Sequence, residues 1–247
     1  MAKEIQDNVD TTEARRVYDS PSKGVLWGWE VSGYVWTKAI ATGTFLMMAI
    51  WSLFMGELSV ASEMNGLIVS LLFMGLTGGL LVKDLDRPDR FLYVLLRPQW
   101  KSWLVRGAYI ITVFGGLITM KLMGNIFEIS MDLVWMIGGV FAILGAVYTA
   151  FLFNQARARD LWQTPIQSAI HMLLHAVMAG SVVMMFIAPE SSQWMTNILF
   201  WGIIANMIII AKEILMPHDT PDTKKAIHLM TKGYYSKYFW AGIVIGN

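Results

Sequence analysis

The side chains best suited to chemistry are two histidines that lie four residues apart. His171 and His175 fall within a long apolar stretch, and their spacing places both on one face of a helix. Histidine changes its charge near neutral pH, so this pair could accept or release protons during a reaction. The alternative is that both imidazoles only hydrogen-bond to a neighbouring helix.

A lysine in the first apolar stretch is the second candidate. Lys38 lies about six residues into that stretch, where a charged side chain is costly and therefore suggests a function. It could donate a hydrogen bond to a ligand carbonyl, or its long side chain could reach the nearby membrane surface. Tyr34 and Trp36 precede it, and Tyr148 lies late in the fourth apolar stretch. Aromatic walls with a few polar groups are typical of a ligand pocket, so these residues and the histidines could form one.

These residues lie within six apolar stretches, each long enough to cross a bilayer. A hydrocarbon core about 30 Å thick needs about 20 apolar residues in a helix, and a helix satisfies its backbone polar groups where water is absent. The stretches are Ser32–Met55, Asn65–Val82, Trp103–Met123, Leu133–Phe153, Gln167–Ile187 and Met195–Ile214. The sequence therefore predicts an all-α fold, a polytopic transmembrane helical bundle with six full spans.

The composition agrees with a membrane protein and limits the cofactors. Hydrophobic residues make up 55% of the chain and charged residues 15%, whereas soluble domains have about 25% charged residues. The net charge of +1 gives no reason to expect nucleic-acid binding. The chain has no cysteine, so we expect it to hold no iron–sulfur cluster. No second span carries a histidine, so bis-histidine haem is not expected either, although histidine–methionine ligation stays formally possible.

The loop charges predict the orientation of the bundle. Cations gather in the amino-terminal arm and in alternate connections, whereas the loops at 57–63 and 188–194 have none. Because Lys and Arg stay on the cytoplasmic side, the amino terminus is predicted to be cytoplasmic, with an arm at 1–30 and one bundle domain at 31–247. The cations are Lys3, Arg15, Arg16, Lys23, Lys83, Arg87, Arg90, Arg97, Lys101, Arg106, Arg157, Arg159, Lys212, Lys224, Lys225, Lys232 and Lys237.

The carboxyl end carries one more apolar run. It extends from Tyr238 to Asn247 and is too short to cross a bilayer. It predicts a partial seventh span of a chain truncated at that end, with a segment lying at the membrane interface as the alternative.

The connection after the second span carries the most specific motif. It reads Asp84-Leu85-Asp86-Arg87-Pro88-Asp89-Arg90-Phe91, followed by Arg97-Pro98 and Ser102-Trp103. This segment resembles the D-L-G-R-P-x-R-F…R-P…S-W pattern of the NrfD/polysulfide-reductase membrane-subunit family, with Asp86 in place of the usual glycine. Trp36-Thr37-Lys38 followed by Gly43 also resembles the first helix of that family, and the similarity extends from Trp27 to Met216.

The resemblance implies a function that composition alone does not give. Such proteins anchor respiratory oxidoreductases in the prokaryotic cytoplasmic membrane, bind a quinone or quinol (menaquinone or ubiquinone) and exchange electrons with a docked iron–sulfur subunit. A catalytic subunit, often molybdenum-dependent, lies beyond it, so this chain would not be catalytic alone. The quinone-binding residues predicted here are Tyr34, Trp36, Lys38, Tyr148, His171 and His175. The residues predicted to dock the partner are Asp84, Asp86, Arg87, Pro88, Arg90, Arg97 and Pro98.

Two other functions stay open. A transporter or channel would have helices broken near the membrane midplane and matched repeats, and neither is evident in the sequence. A passive anchor would share the docking loop but would not need Lys38, Tyr148, His171 or His175.

Overall fold

A computed structural model describes residues 28–85, 91–155, 164–216 and 221–246. Within these ranges every regular element is helical and none is a strand, which confirms the all-α prediction. The predicted amino-terminal arm falls almost wholly outside these ranges. The helices are α1 Trp29–Phe54, α2 Val60–Asp84, α3 Phe91–Leu96, α4 Trp103–Ile126, α5 Asp132–Gln155, α6 Pro165–Ile187, α7 Ser192–Leu215, α8 Pro221–Thr231 and α9 Ser236–Gly246, with a 3-10 turn at Pro189–Ser191 before α7.

The six predicted spans correspond to α1, α2, α4, α5, α6 and α7. In the described part of the chain these six helices are long and apolar enough to cross a membrane. The chain is therefore an integral membrane protein. The helices continue past the apolar stretches into polar residues. The start of α2 shows why. The Ser59 hydroxyl accepts a hydrogen bond from the Ser62 amide at 3.1 Å and caps the helix, which therefore begins at Val60, before the apolar run that starts at Asn65.

Helix α1 lies at the centre of the bundle. It packs against α2, α5 and α6, while α4 lies between α2 and α5 on the outside of this group. Helix α7 packs on the outer side of α6 and leaves most of its own surface exposed. The side chains of α1 are therefore surrounded by protein for most of its length, and those of α7 mostly face the lipid.

Two glycines allow α1 and α6 to cross closely. A methyl group added at Gly43 would overlap the Ala176 carbonyl, and one added at Gly180 would overlap the backbone of Gly43 and lie 2.8 Å from the Thr44 amide nitrogen. Small residues allow such backbone contact between membrane helices. Gly43 and Gly180 are therefore packing positions at this crossing.

The connections fall on two sides of the bundle. On one side, the Gln155 side chain at the end of α5 accepts from the Trp103 amide at 2.8 Å and donates to the Lys101 carbonyl at 3.0 Å. On the other side, the Ser59 amide donates to a Glu190 carboxylate oxygen at 3.4 Å. Cationic and cation-free loops are thus separated, as the spans require.

Helices α3, α8 and α9 are shorter than a membrane span as they stand. Helix α3 has no buried residue, and the Tyr109 hydroxyl of α4 donates to its Leu95 carbonyl at 2.6 Å. Helix α9 has 11 residues, about half of what a span needs, and packs on α8. The partial seventh span is therefore not confirmed.

Candidate functional site

The Lys38 ammonium is enclosed between α1 and α5. Its side chain is 1% exposed, and its Nζ donates to the Ala146 carbonyl at 3.0 Å and to the Thr149 hydroxyl. The ammonium also lies 4.7 Å from the centroid of the Tyr148 ring, within the range of a cation–π contact. Among the described residues, no carboxylate lies within ion-pair distance of Lys38.

The position of Lys38 along α1 rules out the membrane-surface alternative. The helix begins at Trp29, so Lys38 lies roughly 13 Å along its axis at about 1.5 Å per residue. Its side chain points sideways onto α5 instead of along the helix to the surface. The Lys38 side chain therefore stays inside the bundle, where ionisable groups are costly and usually have a function.

Tyr148 is buried against α4. Its ring lies directly on Gly107, where any larger residue would overlap it, and the residue is 1% exposed. Its hydroxyl makes no hydrogen bond of good geometry to any described residue, although the side chain of Thr149 lies close to it. A buried hydroxyl without a partner is costly and usually indicates a water molecule or a ligand. Lys38 and Tyr148, predicted to share a pocket, are thus brought together.

The two histidines lie elsewhere, on the seam between α6 and α7. Their rings are 4.5 Å apart, and both Nε2 atoms contact the side-chain oxygen of Asn206, at 2.7 Å for His171 and 3.0 Å for His175. Asn206 is 3% exposed, His171 is partly buried and His175 is exposed on the outer surface. Sequence reasoning overlooked Asn206, although an asparagine in the middle of an apolar span is a recognisable signal.

A carboxylate extends this polar seam toward the end of α7. Glu213 Oε1 lies 3.8 Å from His171 Nδ1 and accepts a hydrogen bond from Gln167 Nε2 at 3.3 Å. A continuous line of polar side chains therefore runs along the two helices inside one leaflet. Its five members are Gln167, Glu213, His171, Asn206 and His175. Glu213 was not among the predicted site residues because it stands next to Lys212 at the edge of the span, where charges are common.

The residues predicted to line one pocket lie instead at different helix contacts. Lys38 faces α5 and the histidines face α7, and in the described part of the chain no hydrogen bond or ring contact joins them. Trp36 is 64% exposed, and its ring lies 6.1 Å from that of Phe73 on α2, so it does not join either group. Tyr34 is buried one turn before Lys38, in a cluster with Val31, Leu81 and Phe153.

A largely buried ion pair lies near the opposite side of the bundle. Lys121 Nζ is 2.8 Å from Glu63 Oε1 and donates to Asn125 Oδ1 at 3.1 Å. Asn125 Nδ2 donates to the same glutamate oxygen at 2.6 Å, and the Trp135 ring centroid lies 5.1 Å from the ammonium. Glu63 on α2 is thus tied to Lys121 and Asn125 on α4.

The predicted docking motif is described only in part. Asp86, Arg87, Pro88 and Arg90 lie outside the described residues, whereas Asp84 ends α2. The Arg97 guanidinium lies 5.9 Å from the Tyr93 ring centroid, and Pro98 follows directly. No group of three or more His, Cys, Asp or Glu side chains that could hold a metal occurs in the described ranges.

Comparison with models of known protein families gives a match over most of the chain. The family model described as polysulphide reductase, NrfD, matches residues 19–246, which is nearly the whole chain. No curated protein matches it.

Proposed function

The chain belongs to the NrfD family, whose members are membrane subunits of respiratory oxidoreductases, and we propose that it binds a quinone or quinol and exchanges electrons with a docked iron–sulfur subunit. The quinone is menaquinone or ubiquinone. NrfD proteins typically partner with iron–sulfur and catalytic subunits. Because this chain has no cysteine, the metal centres that carry the electrons belong to those partners.

The observation that carries the proposal is the pair of histidines on the α6–α7 seam. Ionisable groups within spans are rare and usually functional. His175 is exposed toward the lipid, which is where a quinone with its apolar tail resides. A ligand can therefore reach this imidazole from the side, without passing through the bundle.

The residues of the seam suit a quinone head group. Oxidation of a quinol releases two protons and two electrons, so the site needs a hydrogen-bond partner that can also accept a proton. An imidazole does both near neutral pH. Asn206 holds the two rings in place, and apolar residues of α6 and α7 provide a surface for the tail.

The Lys38–Tyr148 contact is the second candidate site. The unpartnered Tyr148 hydroxyl and the enclosed ammonium would suit a ligand with two carbonyl oxygens. Helices α1 and α5 would have to separate to admit a ring there, because both side chains are covered. Binding at His175 needs no such movement, so we place the head group at the seam.

The cationic side of the bundle is the proposed docking face. It presents the exposed side chains of Arg97, Lys101 and Arg106 next to helix α3, and the positive-inside rule makes it cytoplasmic. On this basis the iron–sulfur subunit docks from the cytoplasm, and the chain sits in the prokaryotic cytoplasmic membrane with its amino terminus inside.

The test compares two histidine variants in the complex purified with its partner subunits. Turnover with a short-chain ubiquinol and a short-chain menaquinol is measured for His175→Ala and for His228→Ala, which lies outside the spans. Loss of a proton-accepting group should lower turnover about 100-fold in the first variant and leave the second unchanged. Equal turnover in the two variants would reject the seam as the site.

Unchanged turnover after separate alanine replacements of Lys38, Tyr148, His171 and His175 would indicate a passive anchor.

A further inference from the structure

The polar line on the α6–α7 seam has a defined order of contacts. Gln167 donates to Glu213 at 3.3 Å, Glu213 faces His171 Nδ1 at 3.8 Å, and the side-chain oxygen of Asn206 contacts Nε2 of both His171 and His175 at 2.7 and 3.0 Å. The line runs from the end of α7 to the exposed imidazole of His175.

With the Asn206 amide oriented as in the structure, these contacts determine where the protons are. An amide oxygen can only accept hydrogen bonds, so Nε2 must carry hydrogen in both rings. A neutral His171 would then have a bare Nδ1 that faces a carboxylate oxygen, which is also an acceptor. Two facing acceptors in an apolar setting are unfavourable. One more proton on Nδ1 removes the conflict and makes an ion pair.

We propose that the seam stores one proton, held on His171 Nδ1 opposite the Glu213 carboxylate, with Asn206 as the residue that fixes this arrangement. His175 is then neutral, and its bare Nδ1 is the group free to accept a further proton. Asn206 and Glu213 act through the histidines and are therefore positioning residues.

The stored proton gives the seam a direction for proton transfer. Two cationic imidazoles 4.5 Å apart repel each other, so a proton that binds His175 Nδ1 should displace the one on His171 Nδ1. That proton moves to the Glu213 carboxylate, two residues before α7 ends at Leu215. One proton enters at His175 and one leaves His171 for Glu213, so charge is conserved. The use of this relay in quinol oxidation rests on the proposed function, but the stored proton does not.

A reversed Asn206 amide is the competing arrangement. Its nitrogen would then donate to both Nε2 atoms, both rings would carry hydrogen on Nδ1, and neutral His171 could donate to Glu213. No stored proton would be needed. The two arrangements differ at the Nε2 atoms of both rings and at Nδ1 of His175, whereas Nδ1 of His171 carries hydrogen in both.

Nitrogen-15 NMR of the full chain in lipid nanodiscs separates them. The protein is labelled on its four histidines, the signals are assigned from single His→Ala variants, and spectra are recorded at pH 7 without quinone. We expect His171 to carry hydrogen on both nitrogens and His175 on Nε2 alone. A neutral His171, or a His175 protonated on Nδ1 alone, would overturn the proposal.

A carboxylate variant provides the second readout. In Glu213→Gln we expect His171 to lose its second proton, while His175 keeps its Nε2–H form. Glu57→Gln, an exposed carboxylate in the α1–α2 loop, is the matched control and should leave both spectra unchanged. A His171 that stays doubly protonated in Glu213→Gln would overturn the stored proton. Because these spectra need no quinone, their outcome is independent of the turnover test for the proposed function.

Discussion

Lys38 and Lys121 are both buried in the bundle, and they differ in what surrounds them. Lys121 is paired with Glu63 at 2.8 Å. Lys38 has only a carbonyl, a hydroxyl and an aromatic ring around its ammonium. Replacing a buried charged group by an apolar one of similar size is often neutral or stabilising, whereas removing one partner of a buried pair is strongly destabilising. The two positions should therefore respond in opposite ways.

For Lys38→Met we expect the free energy of unfolding to stay the same or to rise by up to about 2 kcal/mol, because no carboxylate loses a partner. Unfolding in detergent micelles, followed by tryptophan fluorescence, measures this. If unfolding becomes easier, the ammonium contributes to the fold and its presence needs no functional explanation. Quinol turnover of the same variant tests the second candidate site. If the quinone head group binds at the seam, turnover should stay unchanged in Lys38→Met.

For Lys121→Met we expect the free energy of unfolding to fall by about 3 kcal/mol, because the Glu63 carboxylate loses its cation while it stays largely buried. The double variant Glu63→Gln/Lys121→Met should recover much of the loss, since no charge is then left unpaired. Comparison of both single variants with the double variant gives the coupling between the two residues. Purely additive losses would show that the pair does not hold α2 and α4 together.

The sequence pointed to Lys38, Tyr148 and the two histidines as candidates, but not to the way in which these side chains are grouped. The position of Lys38 or His175 along its span gives its depth, and depth follows directly from residue number. The neighbour that a side chain faces is a different matter. It depends on which neighbour packs on that face, so Lys38 meets α5 while Trp36, only two residues earlier, faces outward. Glu213 was missed because a charge at a span end looks like a solvated one.

At the scale of the elements, the central position of α1 depends on its close contact with α6. For Gly43→Ala we expect the free energy of unfolding to fall by about 1 to 3 kcal/mol, because the added methyl group would overlap the Ala176 carbonyl and force the helices apart. Thermal unfolding of the purified protein measures the change.

The matched control for this substitution is Gly116→Ala on α4. A methyl group there meets no atom within 4 Å and the residue is exposed, so stability should stay the same or rise by up to about 1 kcal/mol. Equal effects at Gly43 and Gly116 would mean that α1 and α6 can separate freely. In that case the close crossing would not keep α1 in place beside α5.

The helix ends show how far sequence reasoning reaches for single elements. The apolar run predicted the second span from Asn65, but the helix begins at Val60 because Ser59 caps it and the Glu63 charge is paired with Lys121. Apolar length gives the part of a helix that lies in lipid. Caps and ion pairs decide where the helix itself begins and ends.

At the scale of the whole molecule, the six spans follow from length and hydropathy because a bilayer imposes a minimum length on every helix that crosses it. The arrangement of the spans does not follow in the same way. Lipid tails are as apolar as the helix surfaces, so hydrophobicity does not select neighbours. Small residues such as Gly43 and Gly180 do, and their partners became visible only in three dimensions.

The absence of cysteine from the chain makes its orientation directly measurable. Single replacements Glu57→Cys and Glu190→Cys fall in the cation-free loops, which meet through the contact between Ser59 and Glu190, whereas Lys101→Cys falls on the cationic side. In intact spheroplasts a membrane-impermeant maleimide should label the first two and spare the third, because positively charged loops stay in the cytoplasm. Inverted membrane vesicles should give the opposite pattern.

If Lys101→Cys is labelled from outside, the positive-inside reading is wrong for this chain, and the iron–sulfur partner would have to dock on the outer face. The histidine seam would then lie in the outer leaflet. The proton stored on His171 would be released through Glu213 to that side of the membrane.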